Sequence, residues 1–306
     1  MDLIGAPSVQ VRVLASGSAG NAVLVAAGDA RLLVDAGLSA EAVGRELGLL
    51  GLQLQDLTAV LLTHEHDDHA RGAAAISRLA GVPVLANEPT IQACVALADA
   101  AVERFTTGVP FRVGGIAVEA FLVPHDAAEP VGFHLDAGGA RVAVAMDLGE
   151  VQPPLVERCR GADLVLLEAN YDMRLLAVSA YPWFVKNRIL GTRGHLSNPA
   201  AAAAAAELAT ARPQAVVLIH VSDTNNLAPL ARDMVRASLR RTGRGHVRVE
   251  AVRPNNHSAI WSAWPDAPAG PVRIESWDAA PPRTAGSPLL SLADPRNDSR
   301  GPTGPP

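Results

Sequence analysis

The sequence predicts an α/β protein, on three observations. Short apolar runs rich in β-branched residues alternate with helix-like stretches. This block of strands and helices recurs about half a chain later. Polar residues also stand at the C-terminal ends of the expected strands: Asp35, His64, His125, Asp147 and His220. Convergence of such strand ends is how α/β layers build a site.

Taken in order, Val9–Ala15 reads as a strand, followed by the turn-rich Ser16-Gly17-Ser18-Ala19-Gly20-Asn21. Val23–Ala27 and Arg31–Val34 read as strands joined by a Gly28-Asp29 hairpin turn. Ser39 or Ala40 opens a helix to about Leu50, and Leu57–Thr63 is a buried strand. Ala70–Leu79 has a helical composition that stops at Gly81. Val82–Ala86 is a strand, Glu88–Ala98 a helix, and Val109–Val123 supplies paired strands. Val131–Leu135 and Arg141–Met146 form a hairpin across Gly138-Gly139. Leu164–Glu168 and Ala215–His220 are further strands, with a helix over Ala200–Leu208 between them.

A chain of 306 residues can bury a sizeable core. The net charge of −5 excludes a global cationic footprint for nucleic acid. Lys186 is the only lysine among 26 basic residues, a compositional bias rather than a chemical signal. Two cysteines, Cys94 and Cys159, make no disulfide framework and suit a reducing cytoplasm. The N-terminus shows no secretory signal, and no apolar run is long enough to span a membrane, so a soluble cytoplasmic protein is expected. Ten of the 23 prolines fall in the final 42 residues. Residues 1–263 are therefore expected to form the folded domain and 264–306 a disordered tail without a catalytic role.

The most informative stretch is Leu57–Gly72. Its apolar run breaks off into His64-Glu65-His66-Asp67-Asp68-His69. Three imidazoles and a carboxylate at the mouth of a strand are donors that zinc, manganese or iron prefer. In extended backbone residues two apart point the same way, so His64 and His66 can grip one ion. Asp68 and His69, at the turn into a helix, can face a second. This His-x-His-x-Asp-His pattern resembles the metallo-β-lactamase superfamily.

The resemblance implies a four-layer αβ/βα sandwich and two divalent ions, zinc or manganese, roughly 3.5–4 Å apart. It implies His64, His66 and His125 on one ion, and Asp68, His69 and His220 on the other, with Asp147 bridging. Asp35 would brace the ligand loop. By the same resemblance, an aspartate at 147, where zinc β-lactamases place a cysteine, implies ions ligated by oxygen and nitrogen, and His66, where oxygen-reducing diiron relatives carry glutamate, points away from redox chemistry.

A second informative stretch is Gly194-His195-Leu196-Ser197-Asn198-Pro199. Ser197 or Asn198 as cap and Pro199 at the first helical position mark a helix start. His195 stands just before it, where free backbone N–H groups favour an anion such as phosphate. That suits a general acid for a departing alkoxide. Together with Ser-Gly-Ser-x-Gly-Asn at 16–21, Val34–Gly37, Glu168-Ala169-Asn170-x-Asp172 and His220-x-Ser222-x-x-Asn225-Asn226, it resembles the YycJ/WalJ-like exonuclease subgroup. A departure is Tyr171, where that subgroup leads one to expect histidine.

The expected activity is thus a dinuclear metal-dependent phosphodiesterase, a DNA exonuclease acting 5′→3′ on duplex DNA by resemblance. Asp68 and His195 are its expected catalytic residues, with a metal-bridging hydroxide as nucleophile. Ser16, Ser18, Asn21, Asn170, Ser197 and Ser222 are candidate substrate contacts. A hydrolase of small esters, thioesters or lactones, and a cyclic phosphodiesterase or RNA-processing nuclease, remain alternatives. Neither a membrane nor a stable protein partner is expected. Two basic features bear on nucleic acid. Tyr171, Tyr181, Trp183 and Phe184 are interleaved with Arg174, Lys186, Arg188 and Arg193, either as a stacking surface or as a loop stapled by its own apolar cluster. Arg232, Arg236 and Arg240 form one stripe of an expected helix.

Overall fold

The computed structural model describes residues 9–209, 214–254, 256–265 and 272–277. Its first half contains β1 (Val9–Ala15), β2 (Ala22–Ala27), β3 (Ala30–Val34), α1 (Ala40–Gly48), β4 (Ala59–Leu61), α2 (Asp67–Ala70), α3 (Ala73–Ala80), β5 (Val84–Asn87), α4 (Glu88–Ala93), β6 (Val102–Phe105), β7 (Phe111–Val113) and β8 (Ile116–Leu122). The second half adds β9 (Val131–Ala137), β10 (Ala140–Ala145), α5 (Pro153–Cys159), β11 (Leu164–Glu168), α6 (Met173–Val178), α7 (Trp183–Leu190), α8 (Asn198–Leu208), β12 (Ala215–Ile219), α9 (Ala228–Arg241), β13 (Arg248–Ala251), β14 (Ile260–Pro265) and β15 (Val272–Trp277).

Two sheets result, ordered β15-β14-β1-β2-β3-β4-β5-β6 and β13-β12-β11-β10-β9-β8-β7. Alternation along the strands explains how they stack, because successive side chains point to opposite faces. Val142, Val144, Leu164 and Leu166 of the second sheet share one core with Val11, Val13, Val23, Val25, Leu32 and Val34 of the first. The intervening Ala143, Ala145, Val165 and Leu167 face outward onto residues of α5, α8 and α9. Leu24, Leu33 and Val60 face the other way, onto α1 and α3. Helix, sheet, sheet, helix is the four-layer αβ/βα sandwich expected from the sequence.

Several boundaries differ from expectation. The helix expected at Ala70–Leu79 is α3, which begins later, at Ala73, and a separate one-turn helix, α2, precedes it across Gly72. There the backbone passes so close to its neighbours that a Cβ on Gly72 would lie 1.9 Å from the Leu38 carbonyl oxygen. The helix expected at Glu88–Ala98 ends at Ala93, because Cys94 is extended, and resumes as a single 3-10 turn. The strand at Leu57–Thr63 is shorter, Ala59–Leu61. The domain boundary expected at 263 falls inside β14, and β15 pairs antiparallel with β14, so residues 272–277 are sheet rather than tail. Residues 278–306 of the expected tail lie outside the described residues. No helix among the described residues is long and apolar enough to cross a membrane.

Candidate metal centre

The site lies where parallel strands end. Strands β3 and β4 run parallel in one sheet, and β10, β11 and β12 in the other. Just past these ends stand Asp35, His64, Asp147 and His220, and Glu168 is the last residue of β11. Asp35, Asp147 and His220 are the non-glycine residues with positive φ among the described residues, at 62°, 52° and 52°. Asp and His tolerate this left-handed region better than most residues, but it costs on the order of 1–3 kcal/mol per residue. Strain gathered at three converging chain ends is the pattern of a functional site.

Buried hydrogen bonds hold each bend. The Asp35 carboxylate accepts from the Thr63 N–H at 2.8 Å and lies 2.7 Å from His69 Nδ1. That leaves His69 Nε2 facing Asp147 Oδ2, at 2.6 Å. His220 donates its backbone N–H to Ser16 Oγ at 2.6 Å, and its carbonyl accepts from Asn170 Nδ2 at 3.0 Å. His125 Nδ1 lies 3.0 Å from the Gly194 carbonyl oxygen. Imidazoles gripped at one nitrogen by a carboxylate or carbonyl present the other in a fixed direction.

These bends bring together what the sequence singled out. His64, His66 and His125 form one cluster, and Asp68, His69, Asp147 and His220 a second, ligand atoms within 4.8 Å of one another in each. Asp147 joins them: its Oδ2 lies 3.4 Å from His64 Nε2. The donors fit a pair of divalent cations in kind, all nitrogen and oxygen. One orphan supports the fit. His220 Nε2 is buried without a hydrogen-bond partner, 3.6 Å from Asp68 Oδ2, where a cation would satisfy both.

The electrostatics divide the ligands. Burial, and then the neighbouring His69, hold His64 well below the ordinary imidazole range, and burial lowers His125 too, so both stay neutral lone-pair donors. Burial works the same way on His69 and His220, but Asp147 outweighs it and holds both well above that range. Burial opposes ionisation of Asp68, yet the neighbouring His220 and His69 keep it ionised.

A third cluster was not expected: Asp147, Glu168, His195 and His220. Glu168 is fully buried, with Oε1 2.8 Å from His195 Nδ1 and 2.9 Å from His220 Nδ1. Its Oε2 accepts the Leu148 and Leu196 N–H groups. Sequence reasoning passed over it as part of a motif, although a carboxylate closing an all-apolar strand is the signal that marked the other strand ends. Burial alone would lower His195, but Glu168 and Asp147 reverse this and raise it to about 9.

The six candidate substrate contacts divide. Ser16, Asn21, Asn170 and Ser222 are buried and already engaged. Ser16 and Asn170 hold His220, Asn21 Nδ2 reaches Asp68 Oδ2 at 3.3 Å, and Ser222 Oγ accepts the Asn225 N–H. Ser16, Asn21 and Asn170 thus brace ligand residues, and Ser222 caps the turn after His220. Ser18 is exposed, and Ser197 is the partly exposed N-cap of α8, accepting from the Ala200 N–H. Close packing explains the glycines nearby: a Cβ on Gly37 would lie 1.7 Å from the Asp68 carbonyl oxygen. Cys94 and Cys159 are buried free thiols and belong to none of the three clusters. The arginine stripe of α9 lines, with Arg248 of β13, a groove of ≈ 570 Å³ that contains none of the ligands.

The Beta-lactamase superfamily domain matches residues 30–221. Exodeoxyribonuclease YycJ of Bacillus anthracis is 37% identical over 237 residues, covering 76% of this chain and 90% of that protein. Exodeoxyribonuclease WalJ of Streptococcus pneumoniae serotype 2 is 35% identical over 225 residues, covering 72% and 84%. Among solved structures, the metallo-β-lactamase fold protein YhfI of Bacillus subtilis superposes with a TM-score of 0.64 at 17% identity, over 81% of this chain and 98% of that one, a likeness of fold alone.

Proposed function

The chain belongs to the β-lactamase superfamily, and from that premise we propose that it is a dinuclear metal-dependent phosphodiesterase that digests DNA from an end, 5′→3′ on duplex substrate. One observation carries the reading: two donor clusters adjoin, with Asp147 of one 3.4 Å from His64 of the other, and a carboxylate-held His195 stands beside them at the start of α8. The names of the relatives, which span 76% and 72% of this chain, supply the substrate class.

Two ions, zinc or manganese, held by His64, His66 and His125 and by Asp68, His69 and His220 with Asp147 between, would supply Lewis acidity and an activated water. The protein's own groups do the rest. Asp68, braced by Asn21, is poised to orient the attacking water through its carboxylate. Glu168 takes Nδ1 of His195 and leaves Nε2 as the nitrogen that hands a proton to the departing oxygen. The positive end of the α8 dipole, an eleven-residue helix, favours the phosphate's negative charge. Two buried, unpaired cysteines suit a reducing cytoplasm.

The test is incubation of the protein, supplied with manganese or zinc, with end-labelled duplex and single-stranded DNA and RNA, against Asp68→Ala. Stepwise shortening of duplex DNA from the 5′ end, abolished in Asp68→Ala and strongly slowed in His195→Ala, is expected. Hydrolysis of thioesters or lactones with no phosphodiester cleaved, and indifference to His195→Ala, would overturn the reading.

A further inference from the structure

The segment between Glu168 and His195 forms a small lobe over the centre, with its own core. Tyr171, Leu176 and Ile189 are buried in it, with Tyr181 and Val185 packed against them. Two aromatics are left outside. Trp183 and Phe184, adjacent at the start of α7, are 71% and 74% exposed. The apolar staple that holds the lobe therefore accounts for the tyrosines and not for this pair. Two bulky aromatics bared to water at the start of one helix are a cue to a contact surface.

Charge indicates the kind of contact. Residues 173–194 carry four cations, Arg174, Lys186, Arg188 and Arg193, and no acid, in a chain of net charge −5. The lobe also meets the metal centre directly. Arg188 pairs with Asp126, the neighbour of His125. Arg193 Nε donates to the His125 carbonyl oxygen at 2.9 Å, and the Gly194 carbonyl holds the His125 ring. Phe184 precedes Arg188 by four residues, so the two share a helix face about 6 Å apart along the axis.

We infer that Trp183 and Phe184 form a stacking platform for the terminal bases of the nucleic-acid strand presented to the metal centre, with Arg174 and Lys186, the lobe's cations not engaged with residues 125–127, on the flanking phosphates. This rests on the phosphodiesterase reading for its substrate class. Flat apolar faces among cations match a ligand that alternates bases with phosphates, and every base offers a π-face, so the platform binds without sequence preference. An acidic protein partner would satisfy the cations but leave the two rings without stacking partners.

The experiment uses the protein carrying Asp68→Ala, in which digestion is expected to be abolished, and duplex DNA with the fluorescent base 2-aminopurine at the terminal or at an internal position. Binding is expected to change the fluorescence of the terminal probe and not the internal one. Adding Trp183→Ala and Phe184→Ala is expected to abolish that change and weaken binding about fivefold or more per base unstacked. Phe184→Tyr, which keeps a ring, is expected to retain the change. A terminal signal that survives the double substitution, or equal affinity with and without the two rings, would overturn the inference. Failure of the phosphodiesterase reading is separate: DNA ends would stack on the lobe while the unsubstituted protein cleaved no DNA.

Discussion

Glu168 sets the terms at the scale of single residues. One buried carboxylate oxygen lies within 2.9 Å of Nδ1 on both His195 and His220, so the proposed acid and a proposed ligand share one anchor. Glu168→Gln keeps the shape but removes the charge and one acceptor. Loss of such a ligand-orienting partner costs roughly 10–100-fold in metal affinity or activity. The expected outcome is a fall of that size in kcat on DNA with KM little changed, read by steady-state kinetics. Unchanged kcat would mean that Glu168 serves packing alone. A second residue-scale expectation concerns protons. Burial favours neutral imidazole, but Asp147 holds His69 and His220 well above their ordinary value of 6.5. Both keep a proton at neutral pH, and a metal must displace it. Raised values mean that the competition weakens only as pH climbs past the ordinary imidazole range. Zinc affinity is therefore expected to rise steadily from about pH 6 to 8, with protons released on binding. Titration calorimetry in buffers of different ionisation enthalpy reads both; an affinity flat with pH would contradict it.

Among the elements, the strands carry the stability and the bends after them carry the chemistry. Phe133 of β9 is fully buried in the core between the two sheets, edge-on to Phe105 at 5.8 Å. Truncating such a ring costs about 3–5 kcal/mol. Phe133→Ala is expected to lower the urea midpoint by that equivalent while leaving the metal-binding constant of the folded protein nearly unchanged. A small stability loss with a large loss of metal affinity would mean that the core and the site are not separable in this way. The local helix pieces are shaped by the site instead. Helix α2 is one turn, Asp67–Ala70, because Gly72 must pass under the Leu38 carbonyl. Helical composition over Ala70–Leu79 does not carry that information, so the separate turn at Asp67–Ala70 was not legible.

Over the whole molecule, legibility follows how local each signal is. His64, His66, Asp68 and His69 sit within six residues after an apolar strand, and their clustering needs no tertiary knowledge. His125, Asp147 and His220 were legible because each ends a strand, and the two sheets bring those ends to one edge. What failed to show depends on contacts made far along the chain. Ser16 and Asn170 look like exposed turn residues until His220 arrives to take both. Strands β13, β14 and β15 are short and add at the sheet edges, β14 by pairing with β1 some 250 positions away in register, as Val9 opposite Ala263 shows. The lobe of α6 and α7 has weak periodicity because its outer face is aromatic and basic rather than uniformly polar.

All of this turns on whether the two donor clusters bind ions together. Elemental analysis of the purified protein after exposure to zinc or manganese and exhaustive desalting tests it most directly, with Asp147→Ala alongside. Two equivalents per chain, falling to one or fewer when Asp147 is replaced, is the expected result. A protein that retains no divalent metal, or an Asp147→Ala variant that retains as much as the unaltered chain, would contradict the account.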